Sequence, residues 1–359
     1  MTSLWSRVGL VVALAGMSQV GPSAVPITPA AQPVRATAQR AAPQAPSYIR
    51  TRVDALGKAF DGRVGIAVRS IDDDWSTDWR GAELFPQQSV SKLWVSITAL
   101  DAVDKGRVRL DDKVTLGRGD LTLFHQPIAQ QILGGGYTTS LSDLMVKAIT
   151  TSDNTANDKL MRSVGGPEAV RAMIRSKSLG AIRFYDGERA LQSKIAGLIW
   201  SQSYSIGRAF YDARNALPKS VRQAAFNRYI EDPYDGASPN AIVNALARLK
   251  RGELLSPAST ARLLSIMGNT KTGANRLKGG LKPGWSLSHK TGTGQVLGAV
   301  QAGYNDIGIL TAPNGKSYAV VVMIKKTSAP LGVRMTLMNN VVRAVIAQHE
   351  MSGSTGITL

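Results

Sequence analysis

A chain of 359 residues that is 43% hydrophobic is long enough to bury a sizeable core and too apolar to stay disordered throughout. Its 43 Lys and Arg against 25 Asp and Glu leave a net charge of +18, and the absence of Cys excludes disulfides, thiol catalysis and thiolate metal sites. With only His125, His289 and His349, a His-built metal centre and a Ser-His-Asp triad lack material, so the protons of any reaction fall to Lys or Glu.

In residues 1–24, Arg7 precedes the apolar stretch Val8–Met17, and the small residues Ser23 and Ala24 follow. This is the pattern of an export signal peptide, too short to span a bilayer comfortably. No Cys follows for lipid attachment, so no stable membrane anchor is expected after cleavage. A periplasmic or secreted protein is expected. Residues 25–46 are rich in Ala, Pro and Gln, with Arg35 and Arg40 as the only charges, and read as a disordered linker.

Globular sequence begins near Ser47. Ile49, Val53, Leu56 and Phe60 recur at helical spacing, and Val64–Val68 then reads as a strand. Residues 89–250 are dominated by helical periodicity. Further on, Asn305–Leu310 and Tyr318–Ile324 flank Pro313-Asn314-Gly315, which predicts a hairpin, and a helix is expected over Leu331–His349. The fold class expected is α/β in the layered α+β sense, with an antiparallel sheet flanked by the terminal helices and an all-helical subdomain inserted. The sheet part is assigned to about 47–85 and 250–350, the helical part to about 86–249, and a short tail to 351–359.

The segment Phe85-Pro86-Gln87-Gln88-Ser89-Val90-Ser91-Lys92 opens a helix with apolar positions Val90, Leu93, Ile97 and Leu100. Ser89 and Lys92 stand three apart and share a helix face. A buried ammonium loses solvation and its pKa falls, so Lys92 is suited to relay the Ser89 proton without His. A cap serine beside a surface lysine has the same spacing, and two further motifs decide between them. Ser152-Asp153-Asn154 lies between two helical runs, where Ser152 can pass a proton to a leaving nitrogen and Asn154 can hold a substrate amide. Asp153 is expected to turn inward onto backbone N–H groups.

Lys-Thr-Gly occurs twice. Lys271-Thr272-Gly273 ends a helix, and Gly273 reads as a structural terminator. Lys290-Thr291-Gly292 follows the alternating run Trp285–His289 and precedes Thr293, so it sits on a strand edge where Gly292 allows close backbone approach. His289 alternates with Lys290 and is expected to point away from it.

In this order and context the three motifs resemble those of the serine β-lactamase and penicillin-binding protein superfamily, and class A β-lactamases most closely. The resemblance runs over about residues 47–350 and includes flanking text such as Gly252-Glu253-Leu254-Leu255-Ser256-Pro257. It implies a β-lactamase/transpeptidase-like fold and a small-molecule β-lactam substrate. Ser89 would be the nucleophile, Lys92 would assist proton removal and Ser152 would protonate the departing nitrogen. Backbone N–H groups of Ser89 and Thr293 would form the oxyanion hole. Lys290 and Thr291 would bind the substrate carboxylate with support from Arg276, and Asn154 its side-chain amide. Phe124 and His125 stand where many relatives put a substrate-stacking aromatic.

The same resemblance places a deacylating base at Glu188, followed by Leu191 and Gln192 as in the family's Glu-x-x-Leu-Asn run. Gln192 replaces the usual Asn. Asp186 stands where the family keeps a loop-neck arginine, with Arg183 as a substitute. The loop closes at Asp235-Gly236-Ala237-Ser238-Pro239, so an insertion occupies about 193–231. It reads as a helical elaboration packed on the loop, or else as a lid over the site.

A D-alanyl-D-alanine carboxypeptidase or penicillin-binding-type hydrolase acting on peptidoglycan peptides is the alternative enzyme, and Glu188 discriminates against it. A non-catalytic sensor would have no use for that base. No cofactor and no metal are expected, and a monomer is expected. Basic residues are spread without a run or binding module, so nucleic acid is not an expected partner. Five Arg and no acids fall in residues 1–53, leaving +13 on the rest, a field that draws anionic substrates.

Overall fold

The computed structural model of the chain describes residues 43–354 together with Ala13 and Gly21. Apart from those two positions, the expected signal over 1–24 and most of the expected linker over 25–46 lie outside the described residues. Packing against the fold is already present slightly before the expected start at Ser47, because Gln44 bridges Ser76 and Ala45 is buried in the core.

Helix α1 (Ser47–Ala59) buries Ile49 and Val53, two positions of the stripe visible in its spacing. It leads into β1 (Arg63–Ser70) and the short β2 (Ser76–Trp79), which the sequence does not announce. Four later segments complete the sheet: β3 (Ser286–Thr293), β4 (Val296–Leu297), β5 (Val300–Thr311) and β6 (Ser317–Thr327). Strand order is β2-β1-β6-β5-β3, antiparallel throughout, with β4 on β5. The β5–β6 hairpin turns at the expected Pro313-Asn314-Gly315, where Gly315 adopts φ +89°.

Both faces of the sheet are covered, which is why β6 reads as an unbroken apolar run instead of an alternating one. Val320, Val322 and Ile324 face α1 and the last helix, α7 (Leu331–Ser354). Ala319, Val321 and Met323 face the helical part. α7 continues past the His349 limit expected from its pattern and takes up part of the expected tail.

The helical part is built on α2 (Lys92–Asp104), where every residue from Lys92 to Leu100 is buried. A helix enclosed on all sides needs apolar residues all round, so its sequence shows little polar face. α3 (Asn154–Ser163) packs beside it. Besides helices, this part carries a two-stranded ribbon pairing Lys113–Leu116 with Tyr137–Ser140. α4 (Glu188–Ile195) runs into the insertion, which is helical and carries α5 (Ala209–Ala216) and α6 (Lys219–Glu231). Phe226, Tyr229 and Ile230 of α6 pack on Leu191, Ile195 and Ala302, while Phe210 of α5 packs on Leu123 and Ala196.

Candidate active site

Ser89 lies in a 3-10 turn, Gln88–Ser91, that runs straight into α2. The continuous helical path brings Lys92 Nζ to 2.6 Å from Ser89 Oγ, as their spacing predicts. Lys92 is fully buried and donates also to Asn154 Oδ1 at 2.7 Å and Glu188 Oε1 at 2.6 Å. An ammonium removed from water needs a counter-charge and acceptors for its three protons, and this site supplies both.

Gln88, just before Ser89, has φ +54°, a conformation costing a non-glycine residue on the order of 1–3 kcal/mol. Its backbone N–H donates to Asp235 Oδ2 at 2.7 Å. Its side-chain amide donates to the Tyr229 hydroxyl and accepts from Gln192 Nε2 at 2.9 Å. The turn that presents Ser89 is therefore pinned from three directions.

Ser152 also adopts a left-handed conformation, φ +60°, between a π-helical turn and α3. Its Oγ accepts from Lys290 Nζ at 2.9 Å. Asp153 turns inward as expected and accepts backbone N–H groups of Ala156 and Ile128, each at 2.8 Å. Asn154 has both ends of its amide engaged, its Nδ2 donating to the Leu123 carbonyl at 2.8 Å.

β3 carries the second Lys-Thr-Gly. Burial, followed by the nearby charge of Lys92, pushes the Lys290 ammonium well below its ordinary range. Thr291 Oγ1 lies 2.7 Å from Thr272 Oγ1, so Thr272 of the first Lys-Thr-Gly reaches the site and is more than part of a terminator. Gly273, at φ +74°, lies so close to Thr291 that a Cβ would meet its methyl at 2.5 Å. Gly292 is demanded by packing within the protein, because the Gln87 carbonyl occupies the space a side chain would need. That is a different reason from the open approach expected at a strand edge.

Arg276 is no solvated arginine. It is buried under Tyr304, its guanidinium 3.8 Å from the ring centroid, and donates to the Gly292 and Asn305 carbonyls and to Thr293 Oγ1 at 2.6 Å. His289 points away from Lys290, as alternation requires, and bonds Asp306 at 2.9 Å.

Glu188 opens α4 and meets Lys92, which also contacts Ser89. Asp158, buried on α3, accepts the Glu188 backbone N–H at 3.0 Å and holds that helix start in place. Gln192 Nε2 is 3.2 Å from Glu188 Oε2, and Gln295 donates to Gln192 Oε1 at 3.0 Å. At the neck of the loop Arg183 pairs with Asp232 at 2.5 Å, whereas Asp186 pairs with Arg171 at 2.9 Å. Asp235 is buried and faces Tyr229, which donates to its Oδ1 at 3.0 Å. Burial is the main reason its carboxyl is pushed up to about 6.

A cavity of about 510 Å³ opens over these groups. Ser89, Ser152, Asn154, Glu188, Gln192 and Thr291 line it, together with Arg276, Thr293 and His125. Lys92 and Lys290 lie behind that lining. The His125 ring donates to the Thr151 carbonyl at 2.7 Å, at the cavity wall. Tyr211 and Arg214 also line the cavity, and both come from the insertion. Sequence reasoning missed Thr272, Asp158, Tyr229, Asp235, Gln295, Tyr211 and Arg214 as site-building residues. No local motif marks them, apart from Asp235 at the expected closing point of the loop.

A family model for the beta-lactamase enzyme family matches residues 48–349. Beta-lactamase VEB-1 of Pseudomonas aeruginosa is 23% identical over 292 residues, covering 81% of this chain and 87% of its own. The extended-spectrum beta-lactamase PER-1 of the same organism is 27% identical over 281 residues, covering 78% and 80%. Among solved structures, a beta-lactamase from Chitinophaga pinensis superimposes with a TM-score of 0.69 at 26% identity, covering 84% of this chain and 99% of its own. An ancestral class A beta-lactamase gives a TM-score of 0.67 at 29% identity, covering 83% and 99%.

Proposed function

The chain belongs to the beta-lactamase enzyme family as a class A-like hydrolase of β-lactams, and on that premise we propose that hydrolysis runs through an acyl-enzyme on Ser89. Ser89 Oγ attacks the lactam carbonyl while its proton passes to the Lys92–Glu188 pair, both members of which lie within one hydrogen-bond chain. Backbone N–H groups of Ser89 and Thr293 stabilise the oxyanion, each worth roughly 100- to 1,000-fold in comparable systems. Ser152 gives its proton to the departing nitrogen and is resupplied through Lys290, 2.9 Å away. Lys290, Thr291 and Arg276 hold the substrate carboxylate, and Asn154 orients the acyl amide.

Deacylation follows when Glu188 takes a proton from water and the hydroxide attacks the ester. Gln192, hydrogen-bonded to both Glu188 and Gln295, positions that water. His125 completes the wall of the binding cleft, and Gly292 lets the strand carrying Lys290 and Thr291 pack against the Gln87 carbonyl. The observation that carries this reading is a single buried ammonium touching both Ser89 and Glu188. It favours turnover over the slow release of a peptidase or sensor, which has no need of a base there. The same reading takes the protein to be exported through residues 1–24 and to act as a monomer. Among the described residues, no helix is long and apolar enough to cross a membrane.

Hydrolysis of a chromogenic cephalosporin tests the proposal. Rapid turnover abolished by Ser89→Ala is expected. Stoichiometric labelling without turnover would select the peptidase or sensor, and unchanged turnover in Ser89→Ala would remove Ser89 from the mechanism.

A further inference from the structure

Arg214 is a cation at the cavity wall without a matching anion among the described residues. It sits on α5 of the insertion, one helical turn from Tyr211, and this i,i+3 spacing turns both side chains to the same side. Phe210 locks the helix in place. It is buried, packs on Leu123 and Ala196, and meets Phe124 edge-on at 5.0 Å. Arg214 donates from Nη2 to the Val296 carbonyl at 2.9 Å, which bridges the insertion to β4 on the far wall. No carboxylate among the described residues pairs with it. Its charged neighbour is another cation, Arg222, and burial and Arg222 together push its guanidinium down from its ordinary value.

Substrate chemistry gives this location meaning. In a penicillin or cephalosporin the nucleus carboxylate and the acyl side chain project to opposite sides of the lactam carbonyl. With the carboxylate on Lys290, Thr291 and Arg276, the side chain extends past Asn154 and Gln192 toward Val296 and Arg214. There it meets Phe124, Tyr211 and Val296, which are exposed to solvent at the mouth, and one uncompensated guanidinium among them.

We propose that Arg214 and Tyr211 form a side-chain subsite contributed by the insertion, selecting β-lactams whose acyl group carries an aryl ring and a second anionic group. The inference rests on the hydrolytic reading of the Ser89 site and deepens it. Arg214 supplies a charge-assisted hydrogen bond to the second anion, and Tyr211 with Phe124 covers the ring.

Carbenicillin and benzylpenicillin are a matched probe pair, differing only by a carboxylate on the acyl side chain. The readout is the ratio of their kcat/KM values in the wild type, Arg214→Gln and Arg214→Lys. Loss of one charge-assisted contact is expected to lower the carbenicillin-to-benzylpenicillin ratio about tenfold in Arg214→Gln, with partial recovery in Arg214→Lys. Added salt should lower the ratio in the wild type and leave it flat in Arg214→Gln. An unchanged ratio in both variants, with benzylpenicillin still turned over by the wild type, overturns the subsite alone. Failure of the wild type to hydrolyse either compound instead overturns the hydrolytic reading, and the subsite with it.

Discussion

Glu188 Oε1 stands 2.6 Å from Lys92 Nζ, and that ammonium is equally close to Ser89 Oγ. The proposed base and nucleophile are therefore coupled through one buried cation. Glu188→Gln keeps the shape and an acceptor oxygen but cannot take a proton from water. Deacylation is expected to slow by roughly 100- to 10,000-fold, the usual worth of a general base. An acyl adduct on Ser89 should then accumulate within seconds of adding benzylpenicillin, visible by intact-protein mass spectrometry. A variant that turns over at the wild-type rate with no adduct would place the base elsewhere.

Lys290 makes the pH dependence specific. In the proposed mechanism its ammonium anchors the substrate carboxylate, and burial lowers its pKa well below the ordinary 10.5. A lysine is charged below its pKa, so anchoring is present below the depressed value and is lost as pH rises through it. The alkaline limb of kcat/KM, which reports the free enzyme, is expected below 10.5 and should arise mostly from KM. Lys290→Arg keeps its charge to higher pH and should move that limb upward, whatever its effect on the plateau. A limb that stays put in Lys290→Arg would assign it to another group.

Where local geometry determines the site, the sequence is readable. Ser89 and Lys92 meet because three residues along a helix make one face, and His289 and Lys290 diverge because a strand alternates. The run Ala319–Ile324 is legible as a strand, although its unbroken apolarity hides which residue faces which layer. What is illegible depends on distant contacts. Gln88 and Asp235 are separated by 147 positions and Gln88 and Tyr229 by 141, yet they pin the same turn. The aromatic residues of 193–231 predict burial but not partners. Burial is met by Phe210, Phe226 and Tyr229, whereas Tyr211 one step from Phe210 faces the cavity. The insertion thus packs on the loop and also forms part of the site wall. Thr272 reads as part of a helix terminator because its Lys-Thr-Gly copy ends a helix, and only the folded chain brings it against Thr291.

Asp235 should leave a signature in stability. Its carboxyl is raised from 3.8 to about 6 in the fold, so the native state holds its proton more tightly than the unfolded chain. That contribution is fully present below 3.8 and is lost as pH rises through about 6. Asp235→Asn removes the titration. The stability advantage of the wild type over Asp235→Asn is expected to fall by up to about 3 kcal/mol between pH 4 and pH 7. Urea melts at intervals across that window measure it, and parallel curves would show that Asp235 titrates alike in both states.

Tyr229 decides whether the insertion acts on chemistry or only on packing. Its hydroxyl accepts from the Gln88 side chain and donates to Asp235 Oδ1 at 3.0 Å, and all three residues are buried. Tyr229→Phe leaves the ring in the cluster with Leu191 and Ile195 but strands an amide donor and a carboxylate oxygen. The lost satisfaction is expected to cost about 1–3 kcal/mol in stability. A purely structural role ends there. Gln88, however, holds a left-handed backbone immediately before Ser89, and its side-chain oxygen also accepts from Gln192 next to Glu188. Relaxing it should therefore displace both Ser89 and the Gln192 amide, the proposed nucleophile and water-positioning group. Acylation and deacylation rates, measured separately by stopped flow on fully folded protein, are each expected to fall about tenfold, because misplacement of reacting groups costs rate steeply. Wild-type rates in a destabilised Tyr229→Phe would reduce α6 to packing alone.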